Sequence, residues 1–237
     1  METIDRPIPL HLSVQNAIKN YIIEKGLKAG ETLLPETELA TSLGVSRNSV
    51  REAVKALESM GILETRRGIG VFVRSFSFDP ILEYLPFART QDLKELTDLL
   101  EIRQILETGM MTKVVSTMTE ARLTELNAIL QRMRSKADRS EPFREEDREF
   151  HQTLLQATGN DMALKLLDMF WLLFSNTSQY AHLEDQYPQQ TYKDHVAIVE
   201  AVAKRNADEA RAALLTHYAG ISRRLELAKR ETGESSE

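Results

Sequence analysis

From Asp92 to Arg230 this 237-residue chain is written almost continuously in the period of an α-helix, with Leu, Ile, Met and Ala returning every three or four residues. Such a stripe lies along one side of a helix, so the stretch buries its apolar surface only by packing helix on helix. The spacing predicts helices over 92–117, 120–136, 142–157, 160–182, 189–204 and 207–230. Pro142 suits the first turn of its helix, Pro188 marks a break, and Gly159-Asn160 stops one helix and restarts the next. The expectation is an all-α bundle of six or seven helices over residues 92–230, trailed by a polar tail at 231–237.

The first 75 residues read differently. Leu12–Lys25 is an amphipathic helix, Pro35–Leu43 is a short helix closed by Gly44, and Ser46–Met60 is a third, with Ser46 as N-cap and Gly61 as its stop. Two β-prone pieces follow, Ile62–Arg66 and Val71–Arg74, joined through Arg67-Gly68-Ile69-Gly70 as a hairpin. Three helices and a hairpin are the layout of a winged helix-turn-helix over residues 1–75. Residues 76–91, with Pro80 and Pro86 around Ile81–Leu85, form a linker with room for one short helical turn. The fold class is mainly α.

Charge separates the two parts. The formal net charge is −6, yet residues 1–75 carry +1 and the remainder −7. Only the head suits a polyanionic partner, because the field of the body would repel one. The absence of cysteine excludes disulfide frameworks, thiolate metal sites and Cys nucleophiles. No run approaches the roughly 18 apolar residues of a membrane span. The chain start shows no basic leader before an apolar segment, so a cytoplasmic protein without a membrane partner is expected.

In the head, Leu39, Ala40 and Leu43 form the inner face of the second helix, and Val45, Val50, Val54 and Leu57 pack the third against it, with Gly44 at the turn. That packing projects the N-terminal residues of the third helix outward, as a major-groove recognition helix requires. Arg47 and Arg51, four apart on the outer face, can pair bidentately with guanine or clamp phosphate, and Lys55 extends the row. Asn48 and Ser49 reach base edges or backbone; Arg66 and Arg67, on the glycine-rich hairpin tip, suit a wing on the adjacent minor groove or its phosphates. The bland reading is a solvated basic face; the turn, inner face, outer face and wing together favour double-stranded DNA.

The body contains three placed histidines. Asp147 and His151 are four apart on one helix and so point the same way, while His195 and His217 each sit within the apolar stripe of a further helix. Buried imidazoles need partners. Three from separate helices plus one carboxylate can converge on a divalent cation, an N3O set suited to Zn, Ni, Mn or Co. Each taken alone can equally be a hydrogen-bonded core histidine. His11 and His182 are not assigned to either role.

Two family resemblances bear on these readings. The run Leu34-Pro35-Glu36-x-Glu38-Leu39-Ala40, Leu43-Gly44-Val45-Ser46-Arg47, Val50-Arg51-Glu52-Ala53, Gly61-Ile62 and Gly68-x-Gly70-x-Phe72-Val73 resembles the GntR family of bacterial transcription regulators. This implies a homodimer on a short palindromic operator, base-reading Arg47 and Arg51, and contacts from Asn48, Ser49 and the wing tip. Thr37 stands where some members place a further DNA-contacting Arg. From Leu93 to Leu225, Glu101-Ile102-Arg103, Leu106-Glu107, Asp147-x-x-Phe150-His151, Gly159-Asn160, His195-x-x-Ile198, Ala201-Val202, Ala210 and His217 resemble the FCD helical domain, in its metal-binding branch. That resemblance implies Asp147, His151, His195 and His217 as metal ligands and Arg103 as the partner of a small organic acid. The plain alternative for Arg103 is a surface residue paired with Glu107 at i, i+4. Phe170, Trp171 and Phe174 read as core, while Asn176 or Gln179 could line the cavity.

The chain is therefore expected to be a transcription regulator, a repressor in its commoner form, whose operator affinity responds to a carboxylate bound at a metal site. Rival readings are a metal-dependent hydrolase fused to a helix-turn-helix, and a regulator whose metal is structural or is itself the signal.

Overall fold

In a computed structural model of the chain, the described residues are 8–75, 77–85, 93–175, 185 and 187–232. They fall into two compact units, Met1–Glu83 and Tyr84–Glu237. Among them no helix is long and apolar enough to cross a membrane.

Unit 1 runs α1 (Leu10–Glu24), α2 (Glu36–Leu43), α3 (Arg47–Ser59), β1 (Leu63–Arg66) and β2 (Gly70–Val73), followed by α4 (Asp79–Tyr84) at its end. The spacing of Val50, Ala53, Val54 and Leu57 turns one stripe of α3 into the core, where these four side chains are at most 2% exposed. Val14 and Ile18 of α1, Leu39 of α2 and Leu63 of β1 complete that core. The turn between α2 and α3 needs a left-handed residue, and Gly44 takes it at φ +66°. Ser46 caps α3 by accepting a hydrogen bond from the Ser49 N–H at 3.1 Å. Ser46→Ala removes that acceptor and is expected to cost about 1 kcal/mol, read as a lowered urea midpoint for the unfolding of unit 1.

The hairpin pairs Leu63 with Val73, Glu64 with Phe72, Thr65 with Val71 and Arg66 with Gly70. A third piece of chain joins it: Thr32 bridges Phe72, the Leu33 N–H donates to Val71 O, and the Val73 N–H donates to Glu31 O. Sequence periodicity did not reveal this, because a single bridged residue has no alternation to read. The helical turn expected in the linker is α4, whose Pro80 lies against the turn after α3. A Cβ added at Gly61 would come within 2.5 Å of the Pro80 ring, and Gly61 itself sits at φ +71°. Pro86 and its neighbours up to residue 92 lie outside the described residues.

Unit 2 contains α5 (Leu93–Thr117), α6 (Glu120–Ala137), α7 (Arg144–Gln156), α8 (Asp161–Ser175), α9 (Pro188–Ala203) and α10 (Ala207–Thr232). These six helices follow the expected spans with two differences. Pro142 lies ahead of α7, whose N-cap is Phe143. The described part of α8 ends at Ser175, so Asn176, Gln179 and His182 lie outside the described residues. Asn160 stops and restarts the chain as expected, its Oδ1 accepting from the Met162 and Ala163 N–H groups. Leu96, Leu126, Met133, Phe150, Leu154, Ile198, Val202 and Leu214 form the core, and α5, α7, α9 and α10 each bring a polar side chain into it.

Candidate functional site

In unit 1, Arg47 and Asn48 are exposed in the first turn of α3, and Arg51 follows one turn later with its side chain 58% exposed. A loose contact of 3.4 Å ties Arg51 Nε to Glu36, and Lys55 meets Glu52. Ser49 is half-buried, its hydroxyl 2.8 Å from that of Ser46 within the helix cap. On the wing, Arg66 lies over the Phe72 ring, whereas Arg67 and Gly68 stand exposed at the tip, Gly68 at φ +74°. Five of the six DNA-reading candidates thus lie exposed on α3 or on the wing tip, while Ser49 is half-buried in the helix cap.

In unit 2, Asp147 and His151 of α7, His195 of α9 and His217 of α10 meet. One potential ligand atom from each lies within 4.8 Å of every other. His195 Nε2 is 2.8 Å from Asp147 Oδ1, His151 Nε2 is 3.8 Å from the same oxygen, and the Nε2 atoms of His151 and His217 are 3.3 Å apart. The imidazoles are at most 2% exposed.

The hydrogen bonds on the far sides of the rings decide what the near sides offer. His195 donates from Nδ1 to the Thr191 carbonyl at 2.7 Å, and His151 donates from Nδ1 to Glu107. Both rings therefore turn a bare Nε2 towards Asp147 Oδ1. His195 Nε2 is buried and makes no hydrogen bond there, since a lone pair facing a carboxylate oxygen has no proton to share. A shared cation satisfies both, so the residues fit a divalent metal ion. The far-side acceptors are the outer partners that metal-binding histidines ordinarily have. Burial, then the neighbouring His195 and His151, hold His217 well below the usual imidazole pKa, so it is neutral and able to ligate.

Asp147 and His217 also face a cavity of about 500 Å³ whose wall includes Arg103, Phe143, Trp171 and Ile221. Arg103 is not at the surface: it is 3% exposed, and the Glu107 it pairs with is 1% exposed. Its Nε donates to Glu107 at 2.8 Å, its guanidinium lies 4.6 Å from the centre of the Trp171 ring, and Nη2 has no hydrogen-bond partner among the described residues. The pair and the cavity-facing role, separate alternatives in the sequence, thus coexist. Phe170 and Trp171 are buried as expected, Trp171 while also lining the cavity.

Glu107 is the participant that sequence reasoning undervalued. Its signal was present: Leu96, Leu100, Arg103, Glu107, Met111 and Val114 step by three or four and are all buried. Two charged residues inside an apolar stripe require mutual satisfaction in the core.

An exposed basic face on a capped helix beside a two-stranded wing, with a second unit built around a buried imidazole–carboxylate cluster and a cavity, defines a DNA-binding regulator with a ligand-sensing domain. Residues 10–73 match the model of the bacterial regulatory proteins, gntR family, and residues 98–220 match the FCD domain. The chain belongs to the gntR family of bacterial regulatory proteins and is a DNA-binding transcription regulator of the FCD type. It is 31% identical over 200 residues to the HTH-type transcriptional regulator LutR of Bacillus subtilis, covering 82% of this chain and 91% of that one. It is likewise 31% identical to the Uxu operon transcriptional regulator of Escherichia coli, covering 88% and 83%. Among solved structures, a Streptococcus agalactiae GntR protein superposes with a TM-score of 0.54 at 27% identity, covering 90% of this chain and 99% of that one.

Proposed function

We propose that the chain is a cytoplasmic, homodimeric repressor whose operator affinity is modulated by a small organic acid held beside a divalent metal ion. In this reading residues 1–75 read DNA, 76–91 link, and 92–230 sense. Asp147, His151, His195 and His217 hold the ion (Zn, Ni, Mn or Co), which when bound supplies positive charge and coordination positions for an anion. Arg103 holds the acid: it lines the cavity, its buried Nη2 has no hydrogen-bond partner among the described residues, and a carboxylate is the anion its planar fork matches. This unpartnered donor is the observation that carries the proposal. Trp171, whose ring centre lies 4.6 Å from the Arg103 guanidinium, and Phe143 line the cavity beside it.

Arg47, Asn48, Ser49, Arg51, Arg67 and Gly68 contact the operator, the first four from α3 in the major groove and the last two from the wing. Support for self-association comes from α5, where Ile102 and Ile105 are 57% and 59% exposed on the side away from the helix's buried stripe. A two-fold dimer presents two copies of α3 to a palindrome, and an acid that favours one dimer arrangement over another changes how well both half-sites are met.

The test is a calorimetric screen of small mono- and dicarboxylates on metal-loaded protein, repeated with Arg103→Ala. Because a hydrogen bond to a charged group is worth about 1.5–3 kcal/mol, the variant is expected to bind the selected acid roughly 10- to 150-fold more weakly. Unchanged affinity would remove Arg103 from the acid site.

A further inference from the structure

Glu107 is outside the four-residue cluster, yet three helices direct donors to it. Its Oε1 accepts from Arg103 Nε at 2.8 Å and from the Tyr218 hydroxyl at 2.7 Å, while the other oxygen accepts from His151 Nδ1. We propose that Glu107 is the positioning residue of the sensor: it selects which nitrogen of His151 is bare for the metal ion and holds Arg103 with its Nη2 edge free for the anion. The proposal rests on the metal-and-acid reading above.

The chemistry follows from acceptor counting. An ionised carboxylate accepts at both oxygens and donates at neither. Each group facing Glu107 brings a proton, so both oxygens must be acceptors. The Tyr218 hydroxyl, 2.7 Å from Oε1, is a donor to it. With Glu107 only 1% exposed, no solvent is available to replace a lost partner.

Glutamine cannot serve both sides. If its amide NH2 faces His151, it donates to Nδ1 and drives the ring proton onto Nε2, where the ion needs a lone pair. If the amide is reversed, its NH2 meets the Arg103 N–H and two donors confront each other in the core. Either orientation spoils one half of the site. A purely structural role predicts something else: Glu107→Gln and Tyr218→Phe would each loosen the packing of α5, α7 and α10 without any specific effect on the metal.

The experiment titrates full-length wild type, Glu107→Gln and Tyr218→Phe with Co²⁺ alone, following heat and the visible absorption of the loaded protein. Metal-free wild type labelled with ¹⁵N-histidine reports the His151 tautomer by NMR. Wild type should bind one ion, and Tyr218→Phe, which removes one donor but leaves both Glu107 oxygens as acceptors, should lose less affinity than Glu107→Gln. Loss of an outer partner of a metal-binding histidine costs about 10- to 100-fold, which is the weakening expected for Glu107→Gln. The NMR spectrum should place the His151 proton on Nδ1, a result that stands even if the Gln variant fails to fold. Equal Co²⁺ affinity for wild type and Glu107→Gln, or a His151 proton on Nε2, overturns the role of Glu107 alone. A wild type that takes up no Co²⁺ overturns the metal reading itself, and this role with it.

Discussion

Saturating divalent metal is expected to raise the melting temperature of the wild-type chain by roughly 5–10 °C and to leave His151→Ala and His217→Ala without any such increment. An ion present at about 100 times its Kd stabilises the folded state by about 2.7 kcal/mol, and a chain of this size gains roughly 2–4 °C per kcal/mol. Each variant deletes a bare or available Nε2 from a site where the four ligand atoms lie within 4.8 Å of one another. The alanine variants also lose buried side chains, so the quantity compared is the metal-induced rise and not the absolute melting temperature. A chelator should reverse the rise in the wild type. Acid should shrink it too, because protons compete with the ion for imidazole, whereas at neutral pH His217 is already held neutral by burial. Variants that respond to metal as the wild type does would place the ion elsewhere.

The second large effect is expected at the DNA surface. Arg47→Ala and Arg51→Ala should each cost about 1–3 kcal/mol on an operator selected from random duplexes, or roughly 5- to 150-fold in affinity. Both side chains are exposed at the start of α3, whose orientation is set by the apolar stripe on its opposite face, so neither substitution disturbs the core. Arg51 must exchange its 3.4 Å contact with Glu36 for a DNA partner, a small loss for an exposed pair. Gel-shift titrations on the selected operator and on scrambled DNA separate the two kinds of contact. A loss confined to the operator marks base reading, whereas equal losses on both, with a shallower salt dependence, mark a grip on phosphate.

The candidate metal and DNA sites were legible in the sequence to different depths. Those of α3 were visible almost in full, because one helix contains the cap Ser46, the stop at Gly61, the buried stripe and the basic outer face. The wing was visible as a two-stranded hairpin but without the single bridge that Thr32 adds to its edge. In the sensor unit the i, i+4 spacing of Asp147 and His151 was enough to set both on one side of α7. Nothing local states that α9 and α10 turn His195 and His217 towards that same point. Resemblance supplied the set; the coordinates supplied the distances. Arg103 and Glu107 illustrate the same division: their spacing announced an ion pair, yet whether it lay in water or in the core depended on what covers α5.

What the linear chain decided alone was every element whose forces act within a turn or two: helix spans, caps, the left-handed Gly44, the alternation of the hairpin and the sign of charge along each face. Hydrogen bonding and apolar periodicity are local, so they can be read residue by residue. What only the tertiary structure decided was the depth of Glu107, the bare Nε2 atoms facing Asp147 and the free edge of Arg103. Those depend on desolvation and on partners up to 111 positions away, as for Tyr218 and Glu107, and such quantities exist only once the helices have packed.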